Sequence, residues 1–108
     1  MFVYNKNVNS TLMVEGVCRK VLGCSENIMM VEVSLKKGAV LPNHSHFHEQ
    51  VTYIVKGSLE FEVDGEKRIM KAGDSIYIGP NVEHKVVTLE EDALVVDAFT
   101  PQREDFLK

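Results

Sequence analysis

The stretch Gly38-Ala-Val-Leu-Pro-Asn-His44-Ser-His46-Phe-His48-Glu-Gln50-Val-Thr-Tyr-Ile-Val-Lys-Gly57 holds three of the chain's four histidines between two glycines. Alternate residues of an extended chain point to the same side, so His44 and His46 can present their rings together. Neutral imidazoles placed that way suit a divalent transition metal. The fourth histidine, His84, ends a second segment punctuated by glycine and proline, Gly73 to His84. A paired-histidine segment plus one distant histidine implies a metal site built across two strands of a β-fold.

The surrounding sequence agrees with such a fold. No segment sustains a helical period; short alternating runs recur between turn residues. Gly16 to Leu22 reads as a strand after a polar N-terminal arm, stopping at Gly23-Cys-Ser-Glu-Asn27. Met29, Val31, Val33 and Leu35 then alternate with Met30, Glu32, Ser34 and Lys36 until Gly38. Val51 to Lys56 is the next strand. Leu59, Phe61 and Val63 alternate with two glutamates ahead of Asp64-Gly65, a strong hairpin signal whose return strand is Glu66 to Lys71. Ser75 to Ile78, Val82 to Leu89 and Ala93 to Phe99 complete the set. Thr100-Pro101 breaks the last strand and suits the start of one short helical turn. Eight or so short strands at regular spacing predict an all-β sandwich or barrel.

At 108 residues the chain suits one domain spanning 1–108. A net charge of −4 without a Lys/Arg cluster argues against nucleic acid as a partner. No apolar run approaches the roughly 20 residues of a membrane span. The start lacks the apolar core of a signal peptide, so a cytoplasmic location is expected. Cys18 and Cys24 lack metal-binding Cys-x-x-Cys spacing and are expected as reduced packing thiols.

Gly38-x5-His44-x-His46-x3-Gln50-x6-Gly57 closely resembles the first motif of the cupin superfamily, whose usual carboxylate ligand is here Gln50. The second cupin motif matches at Gly73 and His84, with departures at Gly79, Asn81 and Thr88. The resemblance implies a double-stranded β-helix, a jelly-roll β-barrel with a metal near its mouth. A closer resemblance is to the pectin-degradation cupins of the KdgF type. It lies in His44-x-His-x-His-x-Gln50, Asp64-Gly-Glu-Lys, Gly73-Asp-Ser, Pro80-Asn-Val-x-His84 and the tail Asp97-Ala-Phe-Thr-Pro-Gln-Arg-Glu-Asp-Phe106. Such proteins convert unsaturated uronates left by polysaccharide lyases into linear keto sugars.

The resemblance makes His44, His46, His84 and Gln50 the expected ligands of one divalent metal, Ni, Zn, Co, Mn or Fe. With Gln50 as fourth ligand every donor is neutral, which keeps the ion's full double charge and favours Lewis-acid chemistry over oxygen activation. Otherwise Gln50 only hydrogen-bonds in the pocket. His48 is expected in the pocket rather than on the metal, and Glu49 in solvent. Asp97 interrupts an apolar strand, where a carboxyl needs a polar partner or a cavity. It is a candidate general acid or base, or else a structural hydrogen-bonding group. On the same strand face Phe99 is expected to wall the pocket. Arg103 suits a uronate carboxylate, unless it pairs with Glu104 or Asp105.

Val51, Tyr53 and Val55 make the second face of their strand apolar, so a homodimer is expected, with packing inside the chain as the alternative. The function expected is ring opening or tautomerisation of a small unsaturated uronate. The alternatives are a metal-dependent dioxygenase, which would consume oxygen, and a non-catalytic sugar- or metal-binding cupin, which would bind without turnover.

Overall fold

A computed structural model describes residues 2–108. A 3-10 turn at Asn5–Asn7 precedes β1 (Thr11–Val14), β2 (Val17–Ser25), β3 (Ile28–Leu35), β4 (Val40–His44) and β5 (Glu49–Lys56). There follow β6 (Ser58–Val63), β7 (Glu66–Lys71), β8 (Ser75–Ile78), β9 (His84–Thr88), β10 (Ala93–Thr100) and a 3-10 turn at Glu104–Leu107. Six strands form one sheet in the order β1-β2-β3-β10-β5-β8, and four form the other, β4-β9-β6-β7. Every pairing is antiparallel. The two sheets face each other as the jelly-roll barrel expected of the cupin motifs.

Strand β3 shows how the pattern becomes a core. Met29, Val31, Val33 and Leu35 are buried, while Ile28, Met30 and Ser34 are exposed, the period of 2 that a pleated strand imposes. The buried set packs with Ile54 of β5, Val95 and Phe99 of β10, and Leu59, Phe61 and Val86 of the smaller sheet. Each such burial contributes roughly 1.5–3 kcal/mol.

Several boundaries differ from the sequence reading, each for a local reason. The N-terminal arm contains β1, which pairs with β2. Strand β2 runs past Gly23 to Ser25, because a bulge between Val21 and Cys24 lets the ladder with β3 resume. Val82 and Glu83 stay outside β9. The helical turn starts at Glu104 rather than beside Pro101. Thr100 still belongs to β10, and the Gln102 N–H donates to the Glu26 carbonyl, holding the chain extended.

Gly57 is the single residue between β5 and β6, where the chain changes sheets. Its φ of +86° lies in the left-handed region, and a Cβ there would meet the Asp92 carbonyl oxygen at 2.8 Å and Ala93 at 2.9 Å. Replacing Gly57 with Ala should therefore destabilise the protein by about 2–5 kcal/mol, strain and overpacking together. Gly23→Ala, where a Cβ meets nothing within 4 Å, is the control. Urea midpoints of the two variants measure the contrast, and similar midpoints would refute it.

Candidate active site

The last residue of β4, His44, is the direct ladder partner of His84, the first residue of β9. Their ring centroids lie 4.1 Å apart. The chain leaves β4 at once after His44, so His46 sits in the bend between β4 and β5 rather than on the same strand. That bend is pinned by the Asn81 N–H, which donates to the His46 carbonyl at 2.7 Å. The His46 ring stands 5.1 Å from His84 and 6.0 Å from His44. One ring nitrogen from each of the three lies within 4.8 Å of the others.

The backbone sets two of the tautomers. His44 Nδ1 is 2.8 Å from the Pro42 carbonyl and His84 Nδ1 is 2.9 Å from that of Val82. A carbonyl only accepts, so both Nδ1 atoms carry the proton and both Nε2 lone pairs are free. His84 Nε2 is buried with no hydrogen-bond partner among the described residues. Burial pushes His46 and His84 down to about 4; Arg103 and the neighbouring histidines press the same way. Both are neutral imidazoles at physiological pH. An orphaned buried lone pair facing two further imidazoles is what a transition metal would satisfy, and this donor set fits one.

Beneath the histidines lies a polar cluster in the barrel interior. Gln50 is buried, and its Oε1 is 3.0 Å from His46 Nε2. Its Nε2 donates to Thr52 Oγ1 at 2.9 Å and lies 3.4 Å from Asp97 Oδ1. The Thr52 hydroxyl in turn donates to Asp97 at 2.6 Å. Burial raises the Asp97 carboxyl to about 6, against the opposing pull of the Thr52 and Gln50 hydrogen bonds and of Arg103. Asp97 thus has both the polar partners and the cavity that its apolar strand demanded.

The cavity is lined by His44, His84, Gln50, Thr52, Asp97, Phe99, Arg103 and Phe106 among others. Phe99 is buried, its ring 5.6 Å from that of His46. Arg103 reaches the mouth with its side chain only 12% exposed, held by Asp105 through two hydrogen bonds of 3.1 and 2.9 Å. Those bonds hold the Asp105 carboxyl below its ordinary value. The Arg103 guanidinium also stacks on Phe106, 4.1 Å from the ring centre, and Arg19 on the same ring at 4.2 Å. His48 is buried beside His46 but stacks on Phe47 and stands outside the histidine trio. Glu49 is exposed and accepts from the Tyr77 hydroxyl at 3.3 Å.

Thr52, Phe106 and Arg19 enter the site without having been singled out from the sequence. Thr52 shares strand parity with Gln50, a usable signal, but its partner Asp97 is 45 residues away. Phe106 closes the tail motif, and nothing local showed that the tail folds back over the mouth.

A family model described as "Cupin domain" matches residues 31–99. The pectin degradation protein KdgF of Dickeya dadantii is 44% identical over 94 residues, 86% of each chain. The structure of KdgF from Halomonas sp. superposes with a TM-score of 0.92 at 36% identity, covering 98% of this chain and 97% of that one. An RmlC-like cupin from Shewanella frigidimarina matches with the same TM-score at 34% identity, covering 97% and 94%. Metal-type histidines on β4, the following bend and β9 of a jelly roll, with likeness of this extent, settle the family: the chain is a cupin and belongs with the KdgF proteins.

Proposed function

We propose that the protein is a metal-dependent isomerase that opens the ring of a small unsaturated uronate, such as 4,5-unsaturated galacturonate, to a linear keto sugar. The observation that carries this reading is the placement of one buried carboxyl, Asp97, in the same cavity as His44, His84 and the guanidinium of Arg103, with His46 completing the histidine trio. The resemblance to a protein named for pectin degradation supports the substrate class. His44, His46, His84 and Gln50 would hold one divalent transition metal, which would supply Lewis acidity to a substrate oxygen. Both cysteines are free thiols, in keeping with a cytoplasmic setting.

The chain's own groups divide the remaining work. Arg103 exchanges Asp105 for the substrate carboxylate and orients the ring, with Phe99 and Phe106 shielding it from water. Asp97 moves the proton. The anomeric hydroxyl loses a proton as the bond from C1 to the ring oxygen breaks, leaving an aldehyde. C4 gains a proton as C5 becomes a ketone, so atoms balance without any redox step. A carboxyl held near 6 both gives and takes a proton at neutral pH.

The outer face of the larger sheet supports a homodimer. Met30, Ala98, Val51 and Tyr77 are successive ladder partners across β3, β10, β5 and β8, so they form one row. Tyr53 and Val55 extend it, and Val51, Tyr53, Val55 and Tyr77 are 43–60% exposed. A contiguous apolar face of this kind suits a second copy.

Three outcomes test these readings. Asp97→Asn should lower kcat by about 10²–10⁴ with metal content unchanged, whereas Arg103→Met should act mainly by raising KM. The loss of alkene absorbance from the unsaturated uronate measures both, and a parent protein that contains metal yet gives no acceleration over buffer rejects the activity. The second outcome concerns stability. Because burial raises Asp97, the folded state prefers its protonated form, and that contribution is lost as pH rises through about 6. Metal-free Asp97→Asn should therefore match its parent near pH 3 and exceed it at pH 8 by on the order of 3 kcal/mol; a pH-independent difference in denaturant midpoints would contradict this. Third, light scattering should give a dimer mass for the parent and a monomer mass for folded Tyr53→Glu. A monomeric parent rules the dimer out.

A further inference from the structure

The Gln50 amide is oriented by the groups beneath it. Thr52 and Asp97 face each other as ladder partners of β5 and β10, and Thr52 is 1% exposed. The single Thr52 proton goes to Asp97 Oδ1 at 2.6 Å. The Thr52 oxygen is then left to accept, so the Gln50 atom 2.9 Å from it must be the donor, Nε2. That nitrogen also approaches Asp97 Oδ1 at 3.4 Å. The amide oxygen consequently faces the opposite way, 3.0 Å from His46 Nε2.

We infer that Thr52 is a positioning residue of the metal centre: it holds the Gln50 oxygen toward His46 of the histidine trio and demands an amide, not a carboxylate, at position 50. The inference deepens the metal-binding reading above and rests on it. Counting protons shows why. Gln50 supplies two N–H groups and Thr52 one O–H, while Asp97 Oδ1 accepts from both residues. A glutamate at position 50 would leave the Thr52 proton alone among two carboxyl groups and a hydroxyl oxygen. The neutral ligand is thus the counterpart of the buried acid below it.

The test is Zn²⁺ affinity by chelator competition at pH 8, with the visible spectrum of the Co²⁺-loaded protein and circular dichroism as a check on folding. Thr52→Val should weaken Zn²⁺ binding by about 10–100-fold and alter the Co²⁺ bands, and Thr52→Ser, which keeps the hydroxyl, should restore both. Gln50→Glu should bind Zn²⁺ more weakly than the parent despite its added charge. Combining it with Asp97→Asn should recover affinity, because the asparagine N–H replaces the lost donor. Should Thr52→Val not fold, the Gln50→Glu pair decides alone. Parent-like affinity and spectrum in Thr52→Val, or tighter binding by Gln50→Glu, would overturn the inference while leaving the metal reading intact. A parent that binds neither ion removes the metal reading and the inference with it.

Discussion

Two cross-strand pairings, one in each sheet, position the candidate active site of this protein. His44 opposes His84 in the four-stranded sheet, and Thr52 opposes Asp97 in the six-stranded sheet. Ladder partners stand about 4.5–5.5 Å apart at Cβ, so each pairing brings two distant positions into contact without further machinery. Because the side-chain period is 2, a slip of one residue would turn each pair outward. The apolar residues that hold the register, Met29 to Leu35 on β3 and Ile54 on β5, are therefore also what places the histidines and the carboxyl. Gln50 links the two regions, its amide reaching His46 on one side and Thr52 and Asp97 on the other.

Much of this was legible in the sequence because the relevant signals are local. The alternation from Met29 to Leu35, the Asp64-Gly65 hairpin and the glycines at 38 and 57 each specify their own few residues. What escaped depended on partners far along the chain. Strand β1 is short, and only its ladder with β2 makes it a strand. The β2 bulge is a property of two strands rather than of Gly23, so a glycine-containing segment read as a stop is in fact a continuation. The proposed shared strand face of His44 and His46 is replaced by a bend, because Asn81 captures the His46 carbonyl. The rings still converge, through three separate backbone placements.

The functional end of the barrel differs in character from the rest of its interior. Thr88 apart, the buried residues away from this end are aliphatic and aromatic, whereas Gln50, Thr52, His84 and Asp97 cluster near the mouth. Buried polar groups of this kind are tolerated only when hydrogen-bonded, and an ionised carboxyl is the most demanding of them. The Asp97 carboxyl is satisfied by Thr52 and Gln50, yet burial still holds it near 6. Its neighbours hold it without relieving that burden, which is consistent with the proton-moving role proposed for it.

The tail completes the site by a different kind of force. Phe106 packs between guanidiniums from β2 and from the tail itself, so a 3-10 turn that buries no residue of its own is held by stacking on Arg19 and Arg103. Asp105 neutralises Arg103 in the same turn. A carboxylate entering the cavity competes with Asp105 for one fork of donors, in a place where Arg103 is already almost withdrawn from water. Exchange of one carboxylate for another costs little electrostatically, whereas exchange for a neutral ligand would strand a cation. In the proposed role of Arg103, the clasp of the resting tail and a preference for an acidic ligand would be two consequences of one arginine.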